Sequence, residues 1–286
     1  MAVKFFGQFL VEQGAISREA LLKAIELQES VNKSIGDIAI EMGLMTQADV
    51  EQVNLAQRSE DLRFGDLAVK MGFLTSEALQ KALQKQSESH LYIGKAIVMT
   101  GGLDAEQIDQ YLAAFKADQS LYATDRVLLP SELKHQPLWE MMADLSYKML
   151  TRVARLTFRP VPCEIVKRLE DFHIIAAMDF TGDVRCRYVF SASEEVQTQV
   201  AKAILSQEEV SHEPKEVLDD TVMEFINVVC GNIAAKSVQQ GIALDILPPE
   251  LLTSEGGIDI PAGYTGLNFP ICLADGKASI TIIIYP

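Results

Sequence analysis

Residues 5–115 repeat themselves with a period of 29, and this repeat constrains the fold more than any other feature of the chain. Two sets of glycines recur at that interval, the second seven residues after the first: Gly7, Gly36, Gly65 and Gly94, then Gly14, Gly43, Gly72 and Gly101. A repeat of this length is one supersecondary unit, and such units bury their apolar faces by packing on one another. The sequence therefore predicts four similar units that share their cores.

We predict that each unit is a helical hairpin. The second glycine ends a short helix, because a left-handed residue terminates a helix most cheaply. Residues that favour the N-cap then begin a longer helix: Ser17, Thr46, Thr75 and Asp104. Apolar residues four apart give that helix a stripe, with Asn54 as the exception: Leu21, Ile25, Val50, Leu79, Leu83, Ile108 and Leu112.

Three of the units end with a glutamine, namely Gln28, Gln57 and Gln86. The fourth unit has Phe115 at the equivalent position. This pattern resembles the MshEN module, the N-terminal domain of type II secretion and pilus ATPases, some members of which bind cyclic di-GMP. The resemblance implies an all-α repeat domain over residues 1–116, with a regulatory or partner-binding role and cyclic di-GMP as a candidate ligand.

The family pattern begins with an arginine, and only Arg63 matches it; the other units have Phe5, Ser34 and Tyr92. A guanidinium can stack on a guanine and pair with its acceptors or with phosphate. The resemblance therefore implies a nucleotide site at Arg63, Gly65 and Gln86. The alternative, in which the glycines and apolar positions serve the fold alone, stays open.

The repeat ends at a connector, residues 117–136, and a second domain follows over residues 137–286. Helical spacing covers 139–156, 194–205 and 214–240. Strand-like runs fill the space between them: 164–169, 173–180, 184–190, 243–247, 265–273 and 278–284. The order of helix then strands, twice over, favours an α+β domain with an antiparallel sheet and two long helices.

The last long helix carries a polar stripe. Asp220, Glu224, Asn227 and Gly231 share one face, because residues three and four apart are neighbours on a helix. The residues predicted to face the other way are apolar: Met223, Phe225, Ile226, Val229 and Ile233. The helix is therefore amphipathic and presents its polar stripe to solvent.

The spacing Asp-x3-Glu-x2-Asn-x3-Gly-Asn resembles the signature of the CheC/CheX/FliY chemotaxis phosphatases, and its single Glu-x2-Asn pair favours the CheX branch. The resemblance implies an enzyme that hydrolyses the aspartyl phosphate of a CheY-like response regulator. It gives Asn227 the role of orienting water and Glu224 that of pairing with a lysine of the receiver. Asp220 and Gly231 would help to dock the partner. Mg²⁺ is expected in the receiver, with no metal or cofactor held by this chain.

Other interpretations remain beside this one. A polar helix face is often only solvated, and a carboxylate such as Asp220 is favourable near a helix N-terminus without any partner. A non-catalytic signalling adaptor or a cyclic di-GMP effector is the alternative function. Phosphate release from a phosphorylated receiver distinguishes them.

Composition excludes several classes of partner. The net charge of −15 opposes binding to a nucleic-acid polymer. No run approaches the ~18 apolar residues of a membrane span, and the first residues lack the features of a signal peptide, so we expect a cytoplasmic protein. The four cysteines are scattered and are expected to be reduced thiols: Cys163, Cys186, Cys230 and Cys272. Assembly as a homodimer stays open.

Overall fold

The computed structural model describes residues 4–57, 59–119, 129–130, 133–253 and 256–286. The chain divides into two compact units, Met1–Leu121 and Tyr122–Pro286. Over the described residues, no helix has both the length and the apolar character needed to cross a membrane.

The first unit is helical. Short and longer helices alternate along it: α1 Phe6–Glu12, α2 Arg18–Val31, α3 Ile35–Glu41, α4 Gln47–Ala56, α5 Phe64–Lys70, α6 Ser76–Ser89, α7 Ile93–Met99 and α8 Ala105–Gln119. The four short helices begin at residues 6, 35, 64 and 93, which are 29 apart. The helical character predicted for this region is therefore confirmed.

Side-chain caps start the longer helices. The hydroxyls of Ser17, Thr46 and Thr75 each accept a hydrogen bond from a backbone N–H three residues later. Asp104 does the same for the N–H of Gln107 at 2.8 Å. Each bond satisfies one of the donors that a helix N-terminus leaves unpaired.

The two glycine sets have different structural roles. Gly14, Gly43, Gly72 and Gly101 have positive φ, between 67° and 80°, in the turns after the short helices. The first set lies beneath the longer helix of its own unit. A Cβ on Gly65, for example, would lie 2.4 Å from Leu79 Cδ1.

The units pack as two pairs. Helices α2 and α8 of the outer hairpins pack on α7 and α1, and α3 and α4 of the inner hairpins pack on α6 and α5. Each pair has its own apolar cluster, one around Leu10 and Ile97 and the other around Val53 and Leu67. The predicted apolar stripe is incomplete in the inner pair, where Leu83 is 43% exposed and Asn54 is also exposed.

The second unit mixes helices and strands. Its helices are α9 Gln136–Arg152, α10 Glu194–Leu205 and α11 Lys215–Gln239. Its strands are β1 Phe158–Pro160, β2 Glu164–Val166, β3 Arg168–Leu169, β4 Ile174–Gly182, β5 Cys186–Ala192, β6 Leu244–Ile246, β7 Glu250–Leu251, β8 Ile258–Asp259, β9 Thr265–Leu273 and β10 Lys277–Ile284.

The main sheet is antiparallel, with the order β1-β9-β10-β5-β4-β6. Strand β2 also pairs with β9, and β7 with β4, while β3 and β8 form a separate small ladder. Residues that alternate along each strand point to opposite faces. One face, with Met178, Phe190 and Ile280, joins α9 and α11 in the main core. This α+β domain with an antiparallel sheet is the one predicted.

Several boundaries differ from the prediction. Helix α9 begins at Gln136, because Pro137 is favourable in a first helical turn, and it ends before Arg155, which has a φ of 54°. The predicted run 164–169 is two strands that pair with different partners. The two- and three-residue strands β1, β7 and β8 were not predicted.

Candidate functional site

Helix α11 holds the polar stripe in a fixed orientation. One side of it is buried in the main core: Val222, Phe225, Ile226, Val229, Cys230 and Ile233. The ring of Phe225 packs edge to face on Phe190 of β5, with 5.3 Å between centroids. The core therefore fixes which side of α11 faces away from the sheet.

The structure places Asp220, Glu224 and Asn227 on that solvent side, where all three are exposed. Gly231 follows one turn later and is partly exposed. Of the residues predicted to face inward, only Met223 is partly exposed. The four stripe residues therefore share one face.

The polar groups of this face are available to a partner as far as the described residues are concerned. Within the part of the chain that the structure describes, the side chains of Asp220, Glu224 and Asn227 make no hydrogen bond or ion pair. A carboxylate and a carboxamide one turn apart are thus presented together: the amide can accept and donate, and the carboxylate can only accept.

A contact between helices supports the stripe from the side. Gln197 of α10, which is 3% exposed, donates its Nε2–H to Oδ1 of Asp219 at 2.7 Å. This bond ties α10 to α11 beside the first residues of the stripe. Sequence reasoning missed it, because no local pattern links two residues 22 positions apart.

Three neighbouring polar groups, on α11 and α9, are buried or already engaged. Burial raises the pKa of the Cys230 thiol well above its usual value, so this thiol stays protonated inside the core. Helix α9 has Asp144 exposed, but an ion pair of 2.9 Å with Lys148 engages that carboxylate. Ser146 of α9 is buried and donates to the carbonyl of Met142.

The three residues of the nucleotide hypothesis lie in different settings. Arg63 is exposed at the N-cap of α5 and makes no ion pair with the described residues. Gly65 is buried, and Leu79 occupies the space above it.

Gln86 is engaged elsewhere. Its Nε2–H donates to the carbonyl of Lys33, ahead of α3, at 3.1 Å. The glutamine beside Arg63 is Gln57, which donates to the carbonyl of Leu62 at 3.0 Å. The structure therefore brings Gln57, and not Gln86, to the segment that carries Arg63.

Comparison with known proteins points to the second unit. A family model described as "Chemotaxis phosphatase CheX" matches residues 174–272, which include α10 and the whole of α11. No protein of curated function matches the chain by sequence.

Solved structures resemble about half of the chain. CheX from Desulfovibrio desulfuricans matches at 15% identity and a TM-score of 0.46, covering 52% of this chain and 99% of its own. CheX from Vibrio vulnificus matches at 20% identity and 0.43, covering 51% and 97%. A chain of the CheX–CheY–BeF3–Mg²⁺ complex from Borrelia burgdorferi matches at 19% identity and 0.42, covering 51% and 96%.

Proposed function

We propose, from the match of residues 174–272 to the family model for CheX, that this protein hydrolyses the aspartyl phosphate of a CheY-like receiver. One observation carries the proposal. Glu224 and Asn227 are exposed, unengaged by the described residues, and fixed on a helix whose other side is buried in the core. They lie within the segment that matches a phosphatase family.

The chemistry asks little covalent work of this chain. The receiver brings the acyl phosphate and its Mg²⁺, so the phosphatase must place a water in line with the phosphorus and exclude others. Water oxygen bonds to phosphorus as the bond from phosphorus to the aspartyl oxygen breaks. The aspartate leaves as a carboxylate, and the water's proton passes to the phosphate product or to solvent.

Asn227 has the groups needed to hold that water. Its carboxamide oxygen accepts a hydrogen bond from the water, and its N–H donates to a phosphoryl oxygen. An amide does not titrate, so it performs both tasks over a wide pH range. Because the side chain is short and the helix rigid, the water is held with little loss of entropy on reaching the transition state.

Glu224 and Asp220 provide charge for docking. A carboxylate one turn from Asn227 can pair with the lysine of the receiver's active site and fix the register of the two proteins. Asp220 extends the negative charge by one further turn towards the start of α11. Gly231 lies on the same face, one turn beyond Asn227 towards the end of the helix.

Replacement of Asn227 tests the proposal directly. We expect Asn227→Ala to lower the rate of phosphate release from a phosphorylated CheY-like receiver by about 100-fold or more, the size of effect seen when one positioned amide donor is removed. Binding of the receiver should be retained. Gln239→Ala, which removes an exposed amide near the end of the same helix, is the matched control and should have wild-type activity.

Two results would count against it. Full activity in Asn227→Ala would exclude the role in orienting water. Tight binding of a receiver by the wild type without any acceleration of phosphate release would support the non-catalytic adaptor instead.

For the repeat unit we propose a regulatory or partner-binding role. The exposed guanidinium of Arg63, which pairs with none of the described residues, is the observation that keeps cyclic di-GMP as its candidate ligand. The ligand has two guanines, and the leading position of the other units lacks arginine, so we expect weak or no binding. Titration calorimetry with cyclic di-GMP on the wild type and on Arg63→Ala tests this. Tight binding that the substitution leaves unchanged would refute the site at Arg63. No heat of binding with the wild type would favour a role in docking a protein.

A further inference from the structure

Gly231 is a helical glycine that the protein's own packing does not explain. It lies well inside α11, where glycine is less stable than alanine. Apart from its chain neighbours and the backbone of its own helix turn, a Cβ built on it would meet no atom of the described residues within 4 Å. The helical glycines of the repeat unit are different, since a Cβ on Gly65 or Gly94 would lie 2.4 or 3.0 Å from a side chain of the same unit.

Its position relates it to Asn227. Gly231 is four residues later on the same exposed face, so the two are direct neighbours on the helix surface. The other residues three or four positions from Asn227 are Glu224, to which docking is assigned, the partly exposed Met223 and the buried Cys230. A side chain added at Gly231 would therefore lie beside the Asn227 amide without packing against the rest of this protein.

The reach of Asn227 makes that space important. An asparagine amide lies only two carbons from the backbone, so it touches a phosphoryl group only if the partner's surface comes close to α11. A side chain on the next turn would hold that surface away. A displacement of about 1 Å at a reacting centre can cost on the order of 100-fold in rate.

Resting on the proposed phosphatase function, we propose that Gly231 determines access: its missing side chain lets the receiver's backbone beside the phosphoaspartate close onto α11. The selectivity is steric. The partner surface opposite Gly231 is main chain or small side chains, and receivers with a bulky residue there are excluded.

Substitution at this position gives a test in which stability and activity move in opposite directions. Gly231→Ala should raise Tm by about 2–4 °C, because alanine favours the helix and meets no clash. Its kcat/KM for a phosphorylated CheY-like receiver should nevertheless fall about threefold or more, and that of Gly231→Leu about tenfold or more. Binding of the receiver's beryllofluoride adduct should weaken in the same order.

Val238→Ala is the matched control. Val238 is 63% exposed on the same helix, and alanine there raises helix propensity without adding bulk. We expect wild-type kcat/KM, which would show that a stiffer helix is not the cause of any loss. An equal loss in this control would overturn the proposal.

The failures of the two proposals are distinguishable. If the wild type releases phosphate and both Gly231 variants match it, access through Gly231 is refuted while the phosphatase function stands. If the wild type accelerates release from no CheY-like receiver that it binds, the phosphatase function is refuted, and this inference with it.

Discussion

Exposed polar side chains without a partner in their own fold are available to another protein, and among the described residues Glu224 and Asn227 are of this kind. Their shared face followed from spacing alone, since residues three and four apart must lie together on a helix. The inward side also followed for Phe225 and Ile226. The partly exposed Met223 did not, because its exposure depends on how α11 is rotated against the sheet.

Other residue-level features needed the tertiary structure. The bond from Gln197 to Asp219 depends on how α10 lies against α11, which no local pattern fixes. The partners of Gln57 and Gln86 depend on which hairpins pack together. A repeat shows which positions are equivalent, but it does not show which units are neighbours.

Removal of the Glu224 carboxylate should affect binding as well as turnover. We expect Glu224→Ala to weaken receiver binding about tenfold, because it removes the charged partner of the lysine in the receiver's active site. Salt should reduce binding of the wild type more than binding of the variant. Equilibrium binding at two ionic strengths measures both effects.

An exposed carboxylate on the neighbouring helix is the control for that prediction. Glu194→Ala on α10 changes the net charge equally and should leave binding unchanged. Equal effects of the two variants would mean that overall charge, and not a contact of Glu224, attracts the receiver.

Among the elements, those with a long pattern were the ones that could be predicted. Strand β9 and helix α10 match their predicted bounds, because clear turn and cap residues flank them. Strands β4 and β5 are shifted by one or two residues, since their backbone pairing continues past the apolar run. Strands β7 and β8 are two residues each, too short for any alternation to show.

The central strands also share a charged cluster on the face of the sheet away from α11. Arg187 of β5 donates to both carboxylate oxygens of Asp179 on β4, at 2.9 and 2.5 Å, and lies 3.0 Å from Glu250. The Tyr285 hydroxyl also donates to Asp179 at 2.5 Å. These bonds connect the strand pair to the end of the chain.

The cluster predicts a pH-dependent contribution to stability. The bond from Arg187, followed by that from Tyr285, holds the pKa of Asp179 below its usual value. A carboxyl group with a lowered folded pKa stabilises the fold above its unfolded pKa of about 3.9, and this stabilisation disappears as pH falls through the folded value. We therefore expect Asp179→Asn to cost about 1 kcal/mol at pH 7, a modest loss because the pair is partly exposed and Glu250 still faces Arg187.

Urea unfolding at pH 7 and pH 3 measures this contribution. The difference between wild type and Asp179→Asn should shrink at the lower pH, where the carboxyl group of the unfolded chain is largely protonated. Asp245→Asn, an exposed carboxylate on β6, is the control and should change stability at neither pH. A difference that is equal at both pH values would show that the loss is steric and not electrostatic.

Across the whole chain, the order of helices and strands was enough to predict most of the fold class. It was not enough to predict which of the four hairpins pack together. The outer hairpins meet although α2 and α7 are separated by the entire inner pair. Hydrogen bonds between residues far apart in sequence join the two outer hairpins. The side-chain amides of Gln28 and Asn32 both donate to the carbonyl of Leu91, and the backbone N–H of Lys4 donates to the side chain of Gln119. The first unit is thus closed from its first described residues to its last.

That closure bears on where the chain can be cut. Residues 1–116 and 137–286 should each fold alone, because each unit has its own apolar clusters. Helix α8 continues to Gln119, however, so a fragment ending at residue 116 loses the bond to Lys4 and the last turn of the helix. We expect residues 1–121 to melt cooperatively at a higher temperature than residues 1–116. Circular dichroism of the three fragments measures this, and failure of both units to fold alone would show that they depend on a shared core.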